Sequence, residues 1–545
     1  MMMKVVSFSA LLVAVFAGCA LAAPLSFDNL KKTSYIAEAV ISLPYAAISE
    51  PVKVYYDAGA GRSRVEYYHG MDVYVMREDV GKHGYQFQIN PVTDNERTNV
   101  MTCFGINGTK DDPITVQSLI PDLSKYEKAT NPVMYRGLFC DLYTYSYLVG
   151  AKSNTYSFYV NRATGLPVGF EMRGYDDLLG SHYDEYDIYF YDFIVTVPSN
   201  ISLYEPPKGM SCGDFPGPGV AVHHHRGGLH MHEDYEAAEK EVGAAFDSFK
   251  AQHGRMYETE QEHAKRLNNF RHNKKFVDAM NRRNLTYTLA LNHLADLHDE
   301  ERAQMRGTFS SRTDYAYVAE TPSPVRSAAR DWRTTGAVTG VKDQGICGSC
   351  WSFGAAQAIE GQYFLATNRT VPMSQQALMD CSWGFGNNAC DGGEAFRAYE
   401  WVLQNGYIPT EASYGPYLMA DGYCHPEKAD KGPGIKGYVN ITSGDMNKVL
   451  DMLDNDGPLA VAIDASLKSF SFYSSGVYYD SDCGNTPDDL DHAVLAVGFG
   501  TSVDGEDYWI IKNSWSTNYG DRGYVRMSRR NNNCGVATDA HIPLL

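Results

Sequence analysis

The chain has 545 residues, which is too long for one hydrophobic core and predicts roughly three or four structural units. Its composition, 44% hydrophobic and 21% charged, is typical of a globular protein. The formal net charge of −19 argues against a nucleic-acid partner, because phosphate binding needs clustered Lys and Arg side chains.

The N-terminus, residues 1–22, is predicted to be an export signal. Lys4 supplies the positive charge, residues 5–17 the apolar core, and residues 20–22 a cleavage site with small residues. The apolar run is too short to cross a bilayer, and no later segment is long enough, so we expect no membrane span. We therefore expect the secretory pathway, with a lysosomal or secreted protein. The candidate glycan acceptors are Asn107, Asn200, Asn284, Asn368 and Asn440.

Residues 23–205 are rich in Tyr and in short alternating runs, such as residues 156–160 and 186–190. Turn signals such as Asn107-Gly108 separate these runs. Period-two alternation between turns predicts antiparallel strands. We expect an all-β antiparallel domain, with a strongly curved sheet or half-barrel.

Residues 206–233 form a predicted linker rich in Pro, Gly and His. Its histidines could bind metal or sense pH, but no Cys or acidic residue is spaced to close a metal site. We favour a solvated linker, and we expect no metal and no cofactor. The histidines concerned are His223, His224, His225, His230 and His232.

Residues 234–323 are charged and helical in pattern. Six residues at intervals of three or four lie along one stripe of a single helix. They are Glu262, Arg266, Phe270, Asn273, Val277 and Asn281. The stripe resembles the I29-type inhibitory propeptide of cathepsin L-like proteases. A second signature of that propeptide is present loosely, as Ala290, Asn292, Leu294 and Asp296.

Residues 324–545 contain the motif Gln344-Gly345-Ile346-Cys347-Gly348-Ser349-Cys350-Trp351, which matches the papain-like signature around a nucleophilic Cys. Cys350 precedes an apolar stretch that is typical of a buried helix. A thiolate at the start of that helix would gain from the helix dipole and from a neighbouring imidazolium. The predicted nucleophile is therefore Cys350.

The same resemblance assigns the other catalytic roles. His492 opens an apolar strand-like run and would be the base of a Cys⁻/His⁺ pair. Asn513 would accept the second imidazole N–H, and Trp515 would cover that hydrogen bond. Gln344 would stabilise the oxyanion together with the Cys350 backbone N–H. After Trp515 the chain departs from the family pattern Gly-x-x-Trp-Gly and has residues 516–520 instead, which implies altered packing.

The resemblance also implies three disulfides, Cys347–Cys390, Cys381–Cys424 and Cys483–Cys534. It leaves Cys350 free in this domain. Three further cysteines give one pair and one leftover that the sequence does not assign. They are Cys103, Cys140 and Cys212.

Substrate binding is assigned by the same resemblance. Gly392 and Gly393 would hydrogen-bond an extended substrate, and Asp491 and Trp515 would contact it. Glu394 and Asp539 fall where cathepsin L-like enzymes have an apolar S2 pocket. Two carboxylates there would favour Arg or Lys at P2, whereas carboxylates turned to solvent would leave P2 hydrophobic.

We expect an α+β protein. A two-lobed papain-like domain, helical in one lobe and β-barrel-like in the other, follows a helical propeptide and the all-β domain. It would be a cysteine endopeptidase zymogen that acts on proteins and peptides and is inhibited by its own propeptide. The layout resembles the two-chain haemocyte cathepsins of insects, so the N-terminal domain could stay as an associated chain. The alternatives are a dipeptidyl peptidase with an exclusion domain, or a ligand-binding β-domain beside a vestigial protease.

Overall fold

The computed structural model of the protein describes residue 30 and residues 32–94, 96–116, 118–215, 235–309 and 327–545. The predicted export signal, the His-rich part of the linker and the end of the predicted propeptide lie outside these residues. Within the described residues, no helix is long and apolar enough to cross a membrane.

The N-terminal part of the chain is one large sheet, which we call the β-domain (residues 30–215). Its strands alternate buried and half-buried side chains, as in β1, because one face of the sheet packs on the core. Its strands are β1 (Tyr35–Leu43), β2 (Ile48–Asp57), β3 (Arg62–Tyr67), β4 (Asp72–Arg77), β5 (Tyr85–Val92), β6 (Val100–Asn107), β7 (Glu127–Lys128), β8 (Val133–Tyr135), β9 (Leu138–Val149), β10 (Lys152–Asn161), β11 (Pro167–Asp176), β12 (Ser181–Val195) and β13 (Cys212–Gly213).

The strand order is β13-β6-β5-β4-β3-β2-β1-β12-β11-β10-β9-β7, with β8 also on β9. All neighbours are antiparallel except β13 and β6. The path has two ends, so the described strands form an open sheet and not a closed barrel. This all-β antiparallel region agrees with the sequence prediction. The sequence did not assign the pairing of the three cysteines in this part of the chain. In the structure a disulfide joins Cys103 to Cys212, and Cys140 is buried and free.

The described residues of the predicted propeptide form three helices and one strand, α1 (Tyr235–His253), α2 (Glu260–Asn281), β14 (Tyr287–Leu289) and α3 (Asp299–Gln304). Thr259 caps α2 by accepting a hydrogen bond from the Glu262 N–H. The predicted stripe faces the rest of this region. Arg266 pairs with Glu262 at 2.6 Å, and the Asn273 amide donates to the Ala295 carbonyl at 2.8 Å.

The C-terminal domain has a helical lobe and a sheet lobe. Its strands are β15 (Arg330–Asp331), β16 (Gly437–Asn440), β17 (Leu459–Ile463), β18 (Tyr473–Tyr478), β19 (His492–Thr501), β20 (Asp507–Lys512), β21 (Tyr524–Ser528) and β22 (Ala540–Leu544). Its helices are α4 (Cys350–Thr367), α5 (Gln375–Cys381), α6 (Ala395–Asn405), α7 (Glu411–Tyr414), α8 (Met446–Asn455) and α9 (Lys468–Ser471).

The second sheet has the order β14-β18-β21-β20-β19-β17-β22-β16, with β15 also on β19. This path too has two ends in the described residues, so the barrel-like lobe of the sequence prediction is an open sheet. The strand β14 extends it at the β18 edge, so a strand of the predicted propeptide joins the sheet of the C-terminal domain. Helix α4 is buried along most of its length between this sheet and α5 and α6, as expected for a helix that is apolar on every side.

Candidate active site

The candidate nucleophile lies at the junction of the two lobes. Cys350 is the first residue of α4, so its side chain lies at the positive end of the helix dipole. The Ala493 backbone N–H on β19 donates to the Cys350 Sγ at 3.4 Å. The disulfide Cys347–Cys390 ties this segment to the loop before Gly392. The other two disulfides in this domain are Cys381–Cys424 and Cys483–Cys534.

The imidazole comes from the opposite lobe. His492 begins β19, and Asn513 directly follows the adjacent antiparallel strand β20, so the strand pairing brings the two side chains together. The distance from His492 Nε2 to Asn513 Oδ1 is 2.8 Å. The Trp515 ring lies 4.7 Å from the imidazole, centroid to centroid, and is buried. The hydrogen bond to Asn513 fixes the orientation of the His492 ring. It leaves His492 Nδ1 with no hydrogen-bond partner among the described residues.

Gln344 is held with its amide directed into the cleft. Ser514 Oγ donates to Gln344 Oε1 at 2.5 Å, which leaves the Nε2 amide to face the cleft. That amide donates to two carbonyls, Cys347 at 2.7 Å and Met305 at 2.8 Å. Met305 belongs to the propeptide region, so a propeptide carbonyl occupies the donor that would bind an oxyanion.

The chain after α3 runs through this cleft, and we call residues 305–309 the cleft segment. The Gly393 N–H donates to the Gly307 carbonyl at 2.8 Å, and the Thr308 N–H donates to the Asp491 carbonyl at 3.0 Å. The Thr308 hydroxyl reaches the Cys350 Sγ at 3.7 Å. A Cβ on Gly307 would lie 2.0 Å from the Gly348 carbonyl oxygen. The segment therefore fits against the cleft floor only because this residue is glycine.

Burial by the cleft segment holds both reactive groups neutral. Cys350 and His492 are fully buried. Burial raises the pKa of the Cys350 thiol, although hydrogen bonds from Ala493 and Gly307 oppose the shift. Burial also lowers the pKa of His492 to about 4, against the effect of its Asn513 hydrogen bond. Since both shifts disfavour the charged form, the covered site holds a thiol and a neutral imidazole.

Asp491 lies between the cleft segment and His492. Its carboxylate pairs with Arg306 at 2.8 Å and accepts the Ala465 N–H at 2.9 Å. Burial raises the pKa of Asp491 to about 6, against the effects of these two contacts. In this covered state Asp491 binds the propeptide through both its carboxylate and its carbonyl.

The two glycines assigned to substrate binding lie against the cleft wall. Gly392 has φ +113°, and a Cβ there would lie 2.4 Å from the Phe309 ring. A Cβ on Gly393 would lie 2.6 Å from Asn387 Oδ1 and 2.7 Å from the Trp351 ring. Glycine at both positions thus lets an extended chain approach this strip closely.

The two carboxylates assigned to the S2 pocket are buried, and each one lies against a basic side chain. Glu394, which is 2% exposed, accepts from Arg397 Nε at 2.5 Å. Asp539, which is 8% exposed, lies 2.7 Å from His541 Nε2. Neither carboxylate turns to solvent, which departs from the alternative considered from the sequence. Glu394 instead contacts the Arg397 guanidinium three residues later, and Asp539 contacts the His541 imidazole two residues later.

Several residues of the site carry no sequence signal of their own. Tyr417 OH contacts Ser349 Oγ at 2.7 Å and donates to the Gln344 carbonyl at 2.9 Å, across about seventy residues of chain. Tyr519, where the family usually has Trp, packs edge-on against Trp515 at 5.2 Å. Only the departure from the family pattern after Trp515 pointed to that position. No group of three potential metal-ligating side chains occurs among the described residues.

Two known protein families match the regions of the chain that form this site. Residues 327–544 match the family described as papain family cysteine protease, and residues 246–301 match the cathepsin propeptide inhibitor domain (I29). The cathepsin L-like peptidase of Aedes aegypti is 44% identical over 333 residues, which cover 57% of this chain and 94% of that protein. Digestive cysteine proteinase 1 of Homarus americanus is 44% identical over 306 residues, which cover 55% and 94%.

Among solved structures, procathepsin L 3 of the Tenebrio molitor larval midgut is similar at 36% identity, with a TM-score of 0.51. The match covers 56% of this chain and 99% of that one. The two family matches both lie C-terminal to the β-domain. The papain-like fold and the protease class predicted from the motifs are therefore confirmed. The chain belongs to the papain family of cysteine proteases, as a cathepsin L-like zymogen with an I29 propeptide.

Proposed function

We propose that residues 324–545 form an endopeptidase that cleaves peptide bonds through Cys350 and His492. The observation that carries this proposal is the hydrogen bond of 2.8 Å from His492 to Asn513 at the N-terminus of the helix that begins with Cys350. The hydrogen bond uses Nε2 and leaves Nδ1 as the nitrogen that can take the thiol proton. Removal of the cleft segment would rehydrate both groups, and the charged Cys⁻/His⁺ pair would then be favoured.

The reaction follows from these positions. The Cys350 thiolate attacks the peptide carbonyl carbon, and the oxyanion is bound by the Gln344 amide and the Cys350 N–H. The C–N bond breaks as His492 donates its proton to the leaving amine. A water molecule, deprotonated by His492, then hydrolyses the thioester and regenerates the thiol. Asn513 and Trp515 act as positioning residues that keep the imidazole oriented.

The endopeptidase proposal is favoured over a dipeptidyl peptidase. An exclusion domain has to block one end of the mature cleft, whereas the described ion pairs of the β-domain with the rest of the chain go to α1 and α2 of the propeptide. A vestigial protease is disfavoured because Gln344, Cys350, His492 and Asn513 are all present and in contact with suitable partners.

For specificity, we propose that the S2 pocket accepts a basic P2 side chain through Glu394 and Asp539. Both carboxylates are buried at the positions that the family resemblance assigns to that pocket. A basic ligand would share Glu394 with Arg397 and Asp539 with His541. Hydrolysis of Arg-Arg and Phe-Arg peptide amides tests this, and an enzyme that cleaves only the Phe-Arg amide contradicts it.

We also propose that the protein follows the secretory pathway to a lysosome or to the outside of the cell. Four disulfides in the described residues suit an oxidising compartment. Processing would cut the linker of residues 206–233 and the junction near residue 323, and the β-domain would stay as an associated chain for as long as the cut propeptide remains bound.

The deciding experiment is acid-activated hydrolysis of a Phe-Arg peptide amide by the wild type and by Cys350→Ala, with N-terminal sequencing of the products. We expect thiol-dependent hydrolysis by the wild type and none by the variant. Equal hydrolysis by both proteins, or none by either after processing, would contradict the proposal.

A further inference from the structure

The β-domain contacts the propeptide through side chains on the far side of α2. At about 100° per residue, Arg271, Lys275 and Arg282 lie roughly opposite the stripe that faces the rest of the propeptide. The Lys275 ammonium pairs with Asp184 of β12 at 2.7 Å. Asp184 is 5% exposed, so this ion pair is largely removed from water.

Arg282, which directly follows α2 as its C-cap, makes the most buried of these contacts. The Arg282 guanidinium pairs with Glu50 at 2.8 Å and lies 3.5 Å from Asp72. The side chains of Glu50 and Asp72 are 3% and 0% exposed, and the guanidinium lies over the Tyr67 ring at 4.9 Å. Two buried carboxylates of the β-domain thus share one cation of the propeptide.

A third group of contacts joins α1, α2 and the sheet. Glu239 of α1 accepts from Lys152 of β10 at 2.6 Å and from Arg271 of α2 at 2.7 Å. The imidazole of His272 contacts the Tyr183 carbonyl at 3.0 Å. The β-domain therefore holds both long helices of the propeptide.

We call the described part of the protease domain, residues 327–545, the mature domain. Its contacts with the β-domain are slight by comparison. Thr93 lies beside Gly476 of β18, and its hydroxyl donates at 3.2 Å to Leu285, which is again a propeptide residue. Within the described ranges, no helix or strand of the mature domain packs broadly on the β-domain. Any association between these two domains runs mainly through the propeptide.

We propose that the β-domain and the propeptide helices α1 and α2 form one inhibitory unit, which binds to or leaves the mature protease as a whole. The physical reason is the cost of separating them. Glu50, Asp72 and Asp184 would lose their cationic partners while lying in a largely dry environment, and truncated buried charge pairs weaken binding strongly. The propeptide residues that the structure describes make one ion pair with the mature domain, Arg306–Asp491, and leave no comparable set of buried charges behind.

The unit can be tested in the full chain carrying Cys350→Ala, so that the result does not depend on the proposed catalysis. Sites for a specific protease are inserted within residues 216–234 and within residues 310–326, and the mature domain is immobilised by a C-terminal tag. After both cuts, urea is raised in steps below the unfolding range. We expect the β-domain and the propeptide to be released in the same step and to run on gel filtration as one 1:1 complex.

Separate release would overturn the proposal, whether the β-domain leaves while the propeptide stays bound or the propeptide leaves alone. The variants Lys275→Glu and Arg282→Glu are expected to weaken the β-domain–propeptide complex by about 30-fold or more. The charge swap Asp184→Lys with Lys275→Asp should restore most of the loss. Lys265→Glu, an exposed position on the same helix, is the matched control and should change nothing. If the β-domain and the propeptide are still released together in both Lys275→Glu and Arg282→Glu, these ion pairs do not hold the unit together.

Discussion

The two sides of the propeptide are held by different chemistry. Toward the mature domain, many contacts are hydrogen bonds of the propeptide backbone, such as the β14–β18 pairing and the bonds of Gly307 and Thr308 in the cleft. Toward the β-domain, they are buried ion pairs between side chains, such as Lys275–Asp184 and Arg282–Glu50.

On the protease side, the Gly393 N–H and the Gln344 amide bind main-chain carbonyls of the propeptide, which are groups that every peptide carries. On the other side, Asp184 and Glu50 of the β-domain each pair with one particular cation of the propeptide. Among the described residues, the ion pair Arg306–Asp491, at 2.8 Å, is the exception on the protease side.

The largest effect is expected from Arg282→Ala. The substitution leaves Glu50 and Asp72 buried without their guanidinium, which is expected to cost about 3 to 5 kcal/mol. Part of the cost is relieved because Asp72, whose pKa burial already raises to about 7, can take up a proton. Urea unfolding of the zymogen measures the change in free energy. The control is Arg97→Ala, which removes an exposed pair with Asp94 and should cost less than about 1 kcal/mol. Equal losses of stability in the two variants would show that the buried Arg282 site contributes no more than an exposed ion pair.

A somewhat smaller effect is expected from Gly307→Ala on the protease side. The added Cβ would overlap the Gly348 carbonyl, and overpacking of this kind costs about 1 to 3 kcal/mol. The cleft segment should therefore open more often, with an increase of about 10-fold or more in zymogen activity at neutral pH. Gly243→Ala in α1, where a Cβ meets no atom within 4 Å, is the control. A zymogen that stays fully latent after Gly307→Ala would show that this segment does not carry the inhibition.

A pH effect of about 2 kcal/mol is expected at His272. Burial lowers the pKa of His272 to about 4, against the attraction of Asp184, with Arg271 and Lys275 also opposing its charge. The unfolded histidine has a pKa of about 6.5, so between these values the unfolded chain binds more protons than the folded one. Stability is therefore lost as the pH falls from about 6.5 toward 4, by about 2 kcal/mol at pH 5.

His272→Gln should remove that part of the pH dependence. Urea unfolding at pH 7 and at pH 5 measures the difference for each protein. His69→Asn, at an exposed position of the β-domain, should leave the wild-type dependence unchanged. If His272→Gln weakens on acidification as much as the wild type does, the buried imidazole is not a source of acid sensitivity.

The smallest effect is expected from Thr288→Val in β14. It removes the side-chain contact between Thr288 Oγ1 and Ser475 Oγ at 2.7 Å and leaves the backbone pairing with β18 intact. A loss of about 1 kcal/mol is expected in the same unfolding assay. A much larger loss would mean that side chains, and not backbone pairing, hold this edge.

The papain-like motif and the propeptide stripe could be recognised in the sequence because each has a local pattern. The motif from Gln344 to Trp351 and the intervals from Glu262 to Asn281 both depend on near neighbours in the chain. The family and the enzyme class predicted from them are confirmed.

The opposite side of α2 was not predictable in this way. Lys275 and Arg282 resemble ordinary solvated charges in the sequence, since their partners Asp184 and Glu50 lie about 90 and 230 residues away. The pairing of Glu394 with Arg397 likewise depends on side-chain direction, which the sequence does not carry. For Lys275 and Arg282, tertiary contacts decide what the charged residue does.

Whether the propeptide holds the Cys350 thiol neutral is tested most directly by the alkylation rate of Cys350 at pH 5.5. The rate is followed by mass spectrometry of the Cys350 peptide, in the zymogen and after removal of the propeptide. The buried, neutral thiol of the zymogen is expected to react slowly, and the exposed thiolate beside His492 at least about 100-fold faster. Equal rates in the two forms would contradict a nucleophile held neutral by the propeptide.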